Sequence, residues 1–243
     1  MDSSLRVSAM VLTLGIAAVC AAEPQSNQLT DAERQQGWRL LFDGSSSKGW
    51  EEVTGKPFPH SWTIEDGCLK ALVRRDGFQD IRTVETFRSF DFEFDWKLLK
   101  DGNSGVKYLV QRSDEWVNQA GRQARARGLE YQLADDSNAD AASDPSRVTG
   151  SLYSIFPPSP KVAFAIGAFN HSRVIVSGDH VEHWLNGSKV VEFEITRPEV
   201  TRLLLGMRPA GDPTAQIRRE SSISLQNHSS ETWFRNIKIR PLN

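Results

Sequence analysis

Two cysteines and five histidines among 243 residues leave little from which to build a zinc cage. Twenty-nine Lys and Arg stand against 31 Asp and Glu, a formal charge of −2. No net-charge argument therefore favours a nucleic-acid partner. The apolar run Val7–Val19 has 13 residues, short of the roughly 20 that a spanning helix needs. There is no Gly-x-Ser-x-Gly elbow and no phosphate loop. No internal repeat, second composition regime or long helical pattern interrupts the chain.

What is present starts with an export pattern. Arg6, the apolar Val7–Val19 run and the small residues Cys20-Ala21-Ala22 before Glu23 read as a secretory signal over residues 1–22. Its removal predicts an exported protein, periplasmic or extracellular, with no stable membrane insertion. Cleavage there also removes Cys20, leaves Cys68 alone and excludes an internal disulfide. Residues 23–29 read as a polar linker, and 30–243 as one domain with a full core.

Thr30 and Glu33 have the spacing of a capping box, which predicts a short helix ending at Gly37. Beyond it the pattern has period two. Phe90, Phe92, Phe94, Trp96 and Leu98 alternate with Asp91, Glu93, Asp95 and Lys97, a strand with one buried and one wet face. Asp66-Gly67, Gly178-Asp179 and Asn186-Gly187 mark tight turns between further strands. Leu203–Met207 and Ile223–Gln226 read as strands, and Asp114–Arg127 and Asp135–Arg147 as long polar loops. Many short strands joined by turns predict an all-β sandwich or barrel.

Polar side chains recur on one face of several strands. Glu130 and Gln132 oppose Leu129, Tyr131 and Leu133; Lys107 and Gln111 oppose Val106, Tyr108 and Val110; Ser224, Gln226 and His228 line up. These faces could form one wet sheet holding a polyhydroxylated ligand, or plain solvated surface. Arg235, between Trp233 and Ile237, reads as core-facing and therefore paired or reaching into a site. The Arg122, Arg125, Arg127 cluster reads as a solvated loop face. A carboxylate pair for direct glycosidic hydrolysis is incomplete: Glu93-x-Asp95 begins it, but Leu98 stands where a second Glu belongs.

Several short motifs occur together in order. They are Gly37-Trp38-Arg39-Leu40-Leu41-Phe42-Asp43-Gly44 with Gly49-Trp50, Trp62-Thr63-Ile64-Glu65-Asp66-Gly67, Asn103-Ser104-Gly105-Val106 and Gly128-Leu129-Glu130-Tyr131-Gln132. Thr149-Gly150-Ser151-Leu152-Tyr153, Glu182-His183-Trp184-Leu185-Asn186-Gly187, Leu225-Gln226-Asn227-His228 and Phe234-Arg235-Asn236-Ile237-Lys238-Ile239 complete the set. From about Leu29 to Leu242 the chain resembles the 3-keto-disaccharide hydrolase domain family. It departs from the family at Phe169-Asn170, where Trp-Asn is common, and at Ser221-Ser222, where Gly is usual.

The resemblance implies a concanavalin A-like jelly-roll sandwich that acts on oxidised glycosides. A ketone at C3 acidifies the C2 proton; a base removes it, the enolate expels the C1 aglycone, and water adds back. His183, His228 or Glu130 could be the base, and Arg235, Lys107 or a divalent cation could steady the enolate. Glu130 and His183 are the expected acid/base pair. Lys107, Gln132, Asp135, Tyr153, Gln226, His228 and Arg235 are the expected sugar-pocket residues. Glu130, Asp135 and His228 could ligate a metal. The competing reading is a non-catalytic, lectin-like carbohydrate-binding module, which fold alone does not separate from a catalyst.

Overall fold

Alternating side chains sort onto two packed sheets in a computed structural model that describes residues 26–212 and 216–242. The expected signal at 1–22 and the start of the expected linker lie outside the described residues. The strands are β1 (Arg39–Leu40), β2 (Trp50–Glu52), β3 (Trp62–Glu65), β4 (Cys68–Ala71), β5 (Gly77–Gln79), β6 (Ile81–Thr83) and β7 (Phe90–Leu98). There follow β8 (Asn103–Asn118), β9 (Gly121–Ala134), β10 (Asn170–Ser177), β11 (His180–Leu185), β12 (Ser188–Glu194), β13 (Ser224–Leu225) and β14 (Thr232–Pro241). The larger sheet runs β12-β11-β10-β7-β14-β4-β3, with β1 also on β14; the smaller runs β2-β6-β13-β8-β9-β5. This is the all-β, concanavalin A-like jelly-roll sandwich.

The core lies between the sheets. Phe92, Phe94, Trp96 and Leu98 of β7 and Tyr108, Leu129, Tyr131 and Leu133 of β8 and β9 are buried there. Each such side chain contributes about 1.5–3 kcal/mol on leaving water. The opposite face of β7 is less wet than its pattern suggests. Asp91 is buried there by Arg173, at 2.6 Å through both oxygens, and by Arg240 at 2.7 Å.

The turns follow their residues: Asp66-Gly67 and Asn186-Gly187 both take positive φ, as a two-residue hairpin needs. Thr30 and Glu33 cap α1 (Asp31–Gln35) reciprocally. Other expectations are corrected. Leu203–Met207 belongs to a helix, not a strand: α3 (Pro198–Gly206) starts at a proline and buries Val200 and Leu204, one helical turn apart. Asp135–Arg147 contains α2 (Ala139–Ser143) and a 3-10 turn at Pro145–Arg147. Asp114–Arg127 is not a loop: residues 112–127 form a two-stranded arm in which Arg112 pairs with Arg127 and Asn118 with Gly121. The arm's apolar residues are few and split between its faces, with Ala124 and Ala126 buried beside Val53 and Val110 on one and Trp116 on the other, so the alternation in its sequence is weak. Its outer end, beside the turn, is pinned by a parallel pairing of β5 with β9, where Gly77 meets Arg122. A Cβ on Gly77 would sit 2.0 Å from the Arg122 carbonyl oxygen, so this approach requires glycine.

Candidate active site

Strand β8 is flanked by β9 and β13, and the outer faces of the three make the floor of a polar cleft of about 530 Å³. Lys107 pairs across the ladder with Glu130 on one side and with Ser224 on the other. Gly105 pairs with Gln132, and its carbonyl accepts the Gln226 N–H at 2.9 Å. Glu130, Lys107, Gln132 and Gln226 thus meet on one surface while Tyr108, Leu129 and Tyr131 point the other way into the core. Gly105 makes the space: a Cβ there would lie 2.3 Å from a Glu130 carboxylate oxygen.

Glu130 is largely enclosed, with 14% of its side chain exposed. Its carboxylate makes no hydrogen bond to another described residue; the Lys107 ammonium is 3.8 Å away. Burial raises its pKa above the ordinary glutamate value, Asp80 adds to the rise, and Lys107, Arg125 and Arg127 oppose it. Gln132 and Gln226 each bury a side-chain carbonyl oxygen that has no hydrogen-bond partner. Unpartnered buried acceptors are uncommon and suit hydroxyl donors from a ligand. His228 stands at the rim; loss of hydration there, and then the Arg125 and Lys107 cations, lower its pKa, so its imidazole is neutral at pH 7.

Tyr153 also lines the cleft, brought in by its backbone N–H, which donates to the Glu130 carbonyl at 3.0 Å. Six of the expected residues therefore share one cavity: Glu130, Lys107, Gln132, Tyr153, Gln226 and His228. Three do not. His183 is wholly buried between the sheets, where its Nδ1–H donates to the Gly150 carbonyl at 3.1 Å and its Nε2 accepts from the Tyr108 hydroxyl at 2.6 Å. Burial lowers its pKa to about 4. Strand phase explains the placement: Val181, His183 and Leu185 face inward and Glu182 and Trp184 outward. The expected pairing of His183 with Glu130 is thus corrected.

Asp135 is a turn anchor rather than a cleft residue, accepting the backbone N–H of Asp101 and of Ser137, each at 2.9 Å. Arg235 is neither core-facing nor in the cleft. A bulge at Asn236, with φ 51°, puts Phe234 and Ile237 in the core and Arg235 on the outer face of the larger sheet. There its guanidinium stacks on Phe169 at 3.7 Å. Gln111 also leaves the cleft face, because the chain bulges at Leu109 and the amide turns to the Leu109 and Arg218 carbonyls. Glu130, Asp135 and His228 accordingly do not converge as a metal set. Among the described residues, His180, Glu182 and Glu192 bring ligand atoms together, on the larger sheet, where Lys189 bridges the two glutamates.

The cleft also contains residues that the sequence reading placed elsewhere. Arg125 and Arg127 are on β9, not a loop, and line the cleft with Trp116 of the arm, over whose ring the Arg127 guanidinium lies at 5.7 Å. Their two-residue spacing is a strand signal, but it is out of phase with Glu130 and Gln132 because the chain changes face at the bulge opposite Gly128. Asp80, beneath the floor, joins two three-residue strands and carries no pattern of its own.

Fold and cleft define a jelly-roll protein with a polar cleft on the outer face of its smaller sheet. The chain belongs to the 3-keto-alpha-glucoside-1,2-lyase-like domain family, which it matches over residues 37–240. It is 32% identical to the 3-keto-disaccharide hydrolase of Bacteroides thetaiotaomicron over 245 residues, 91% of this chain and 83% of that relative. A crystal structure from Parabacteroides distasonis, described as a candidate glycosyl hydrolase, superposes with a TM-score of 0.74 at 29% identity, covering 90% of this chain and all of that one. A second from the same organism gives 0.62 at 27% identity, covering 84% and 99%.

Proposed function

We propose that the protein is an exported hydrolase that cleaves 3-keto-glycosides to 3-keto-glucose and a free aglycone. The observation that carries this reading is the Glu130 carboxylate: enclosed, open to the cleft, without a hydrogen bond to another described residue, and 3.8 Å from Lys107. A carboxylate with a raised pKa is a stronger base than an ordinary glutamate. It takes the C2 proton of the oxidised ring. The electron pair moves to the C3 oxygen, and Lys107 stabilises the enolate formed there. The enolate returns its electrons by expelling the C1 oxygen. The proton reaches that oxygen through Glu130 and the neutral His228 imidazole. Water then adds across the double bond, its oxygen at C1 and a proton at C2, so the sum is hydrolysis. Gln132 and Gln226, through their unpartnered carbonyl oxygens, take hydroxyls of the ring. Trp116 offers the aglycone an aromatic wall.

The names of the relatives support a carbohydrate-acting hydrolase, and the cleft supplies the base, the cation and the acceptors that this elimination uses. Glu130→Gln should lower release of a chromophore from a 3-keto-glucoside by about 10²- to 10⁴-fold. Its melting temperature should be unchanged or higher, because a carboxylate whose pKa folding raises costs stability when ionised. Wild-type activity should fall as pH drops through the Glu130 pKa. Tight sugar binding with no release by the wild-type protein would instead identify a binding module.

A further inference from the structure

Beneath the cleft floor lies a carboxylate that the proposed chemistry does not use. Asp80 is wholly buried in the link between β5 and β6. One oxygen accepts from Arg125 at 2.7 Å and from the Asn227 backbone N–H at 3.2 Å. The other accepts from the Ala126 backbone N–H at 3.1 Å and from the Lys107 ammonium at 3.2 Å. Asp80 thereby joins β8, β9 and the segment after β13, the three pieces of chain that carry the cleft residues. A buried carboxylate is costly unless its charge is matched and its lone pairs are filled, and here both conditions hold.

The consequence lies above it. Lys107 spends its hydrogen bond on Asp80, at 3.2 Å, and stands 3.8 Å from Glu130, outside hydrogen-bonding distance. Arg125 is likewise drawn down to Asp80 and to the Asn227 carbonyl. The charged groups around Glu130 are then Lys107 from β8, Arg125 and Arg127 from β9, Asp80 from below, His228 after β13 and Asp140 on α2. Arg127 is held by Asp114 at 2.7 Å and Asp140 by Arg147. Without Asp80, Lys107 and Arg125 would turn to Glu130, the remaining carboxylate beside them. We propose that Asp80 is a positioning residue: it anchors Lys107 and Arg125 from below, so that the Glu130 carboxylate faces the cleft free of any ion-pair hydrogen bond.

This rests on the reading of Glu130 as the base, and its test is separable from that reading. The probe is the carboxyl carbon resonance of Glu130, followed by NMR against pH in wild type and in Asp80→Asn. The asparagine keeps the shape and loses the charge. The Glu130 midpoint should lie above that of an ordinary glutamate in wild type and move down in Asp80→Asn as Lys107 closes on it. Turnover of a 3-keto-glucoside at neutral pH should fall roughly 10- to 100-fold, with its acid limb displaced to lower pH. An unchanged or raised Glu130 midpoint in Asp80→Asn overturns the proposal. Should that variant fail to fold, the wild-type midpoint decides: at or below an ordinary glutamate it overturns the proposal, above it supports it. Absence of turnover by wild type overturns the proposed function and leaves both titrations to judge Asp80.

Discussion

The placement of His183 makes it a pH-dependent stabilising residue rather than a catalyst. Its imidazole bridges the Tyr108 hydroxyl and the Gly150 carbonyl inside the core. Folding lowers its pKa from 6.5 to about 4. The unfolded chain therefore binds a proton more readily, and stability is lost as pH falls from 6.5 towards 4. At pH 5 this one residue should cost roughly 2 kcal/mol relative to pH 7. Urea unfolding at both pH values, compared between wild type and His183→Gln, should show the variant less stable at pH 7 and less sensitive to acid. A second residue-scale expectation concerns Gly105, whose missing side chain leaves room for Glu130. Gly105→Ala should displace a flexible side-chain end, sparing the fold while lowering turnover by about tenfold or more, as paired melting and rate measurements would show. Residue by residue, the sequence made the polar floor legible, because Lys107, Glu130, Gln132 and Gln226 stand out against apolar alternates. It misled at His183, because a polar residue in an inward phase looks the same on paper as one facing solvent. Asp80 was illegible because its partners come from three distant segments.

At the scale of elements, β7 and the hairpin turns were plain in the sequence, since one face is apolar and Asp-Gly or Asn-Gly fits positive φ. The arm formed by β8 and β9 was not, since its one buried apolar face rests on two alanines, Ala124 and Ala126, set among charged residues. Nor was α3, whose apolar positions extend for too few turns to establish a period. The arm matters because it carries Trp116 to the cleft. Trp116→Ala should raise KM for a 3-keto-disaccharide roughly 3- to 10-fold, the scale of one aromatic contact. The KM for a methyl 3-keto-glucoside should barely move. Equal loss on both substrates would remove Trp116 from the aglycone wall.

For the whole molecule, the site and the core are two sides of the same strands. Lys107 and Glu130 face the cleft, while Tyr108 and Tyr131 beside them are buried, and Tyr131 bonds Ser172 of the opposite sheet at 2.9 Å. No floor residue can shift without disturbing that packing. Urea should therefore abolish turnover and tertiary circular dichroism in one coincident transition. Activity lost at clearly lower urea would mean that the floor loosens on its own.

The β5–β9 pairing at Gly77 bears on the stiffness of the arm. It fastens the outer end of the hairpin, next to the turn at residues 119–120, so the arm is held at its tip as well as at its root, and Trp116, whose ladder partner is Gln123, does not ride on a free flap. Whatever enters the cleft therefore meets a standing wall, and sequence changes in the arm would alter its surface rather than its reach.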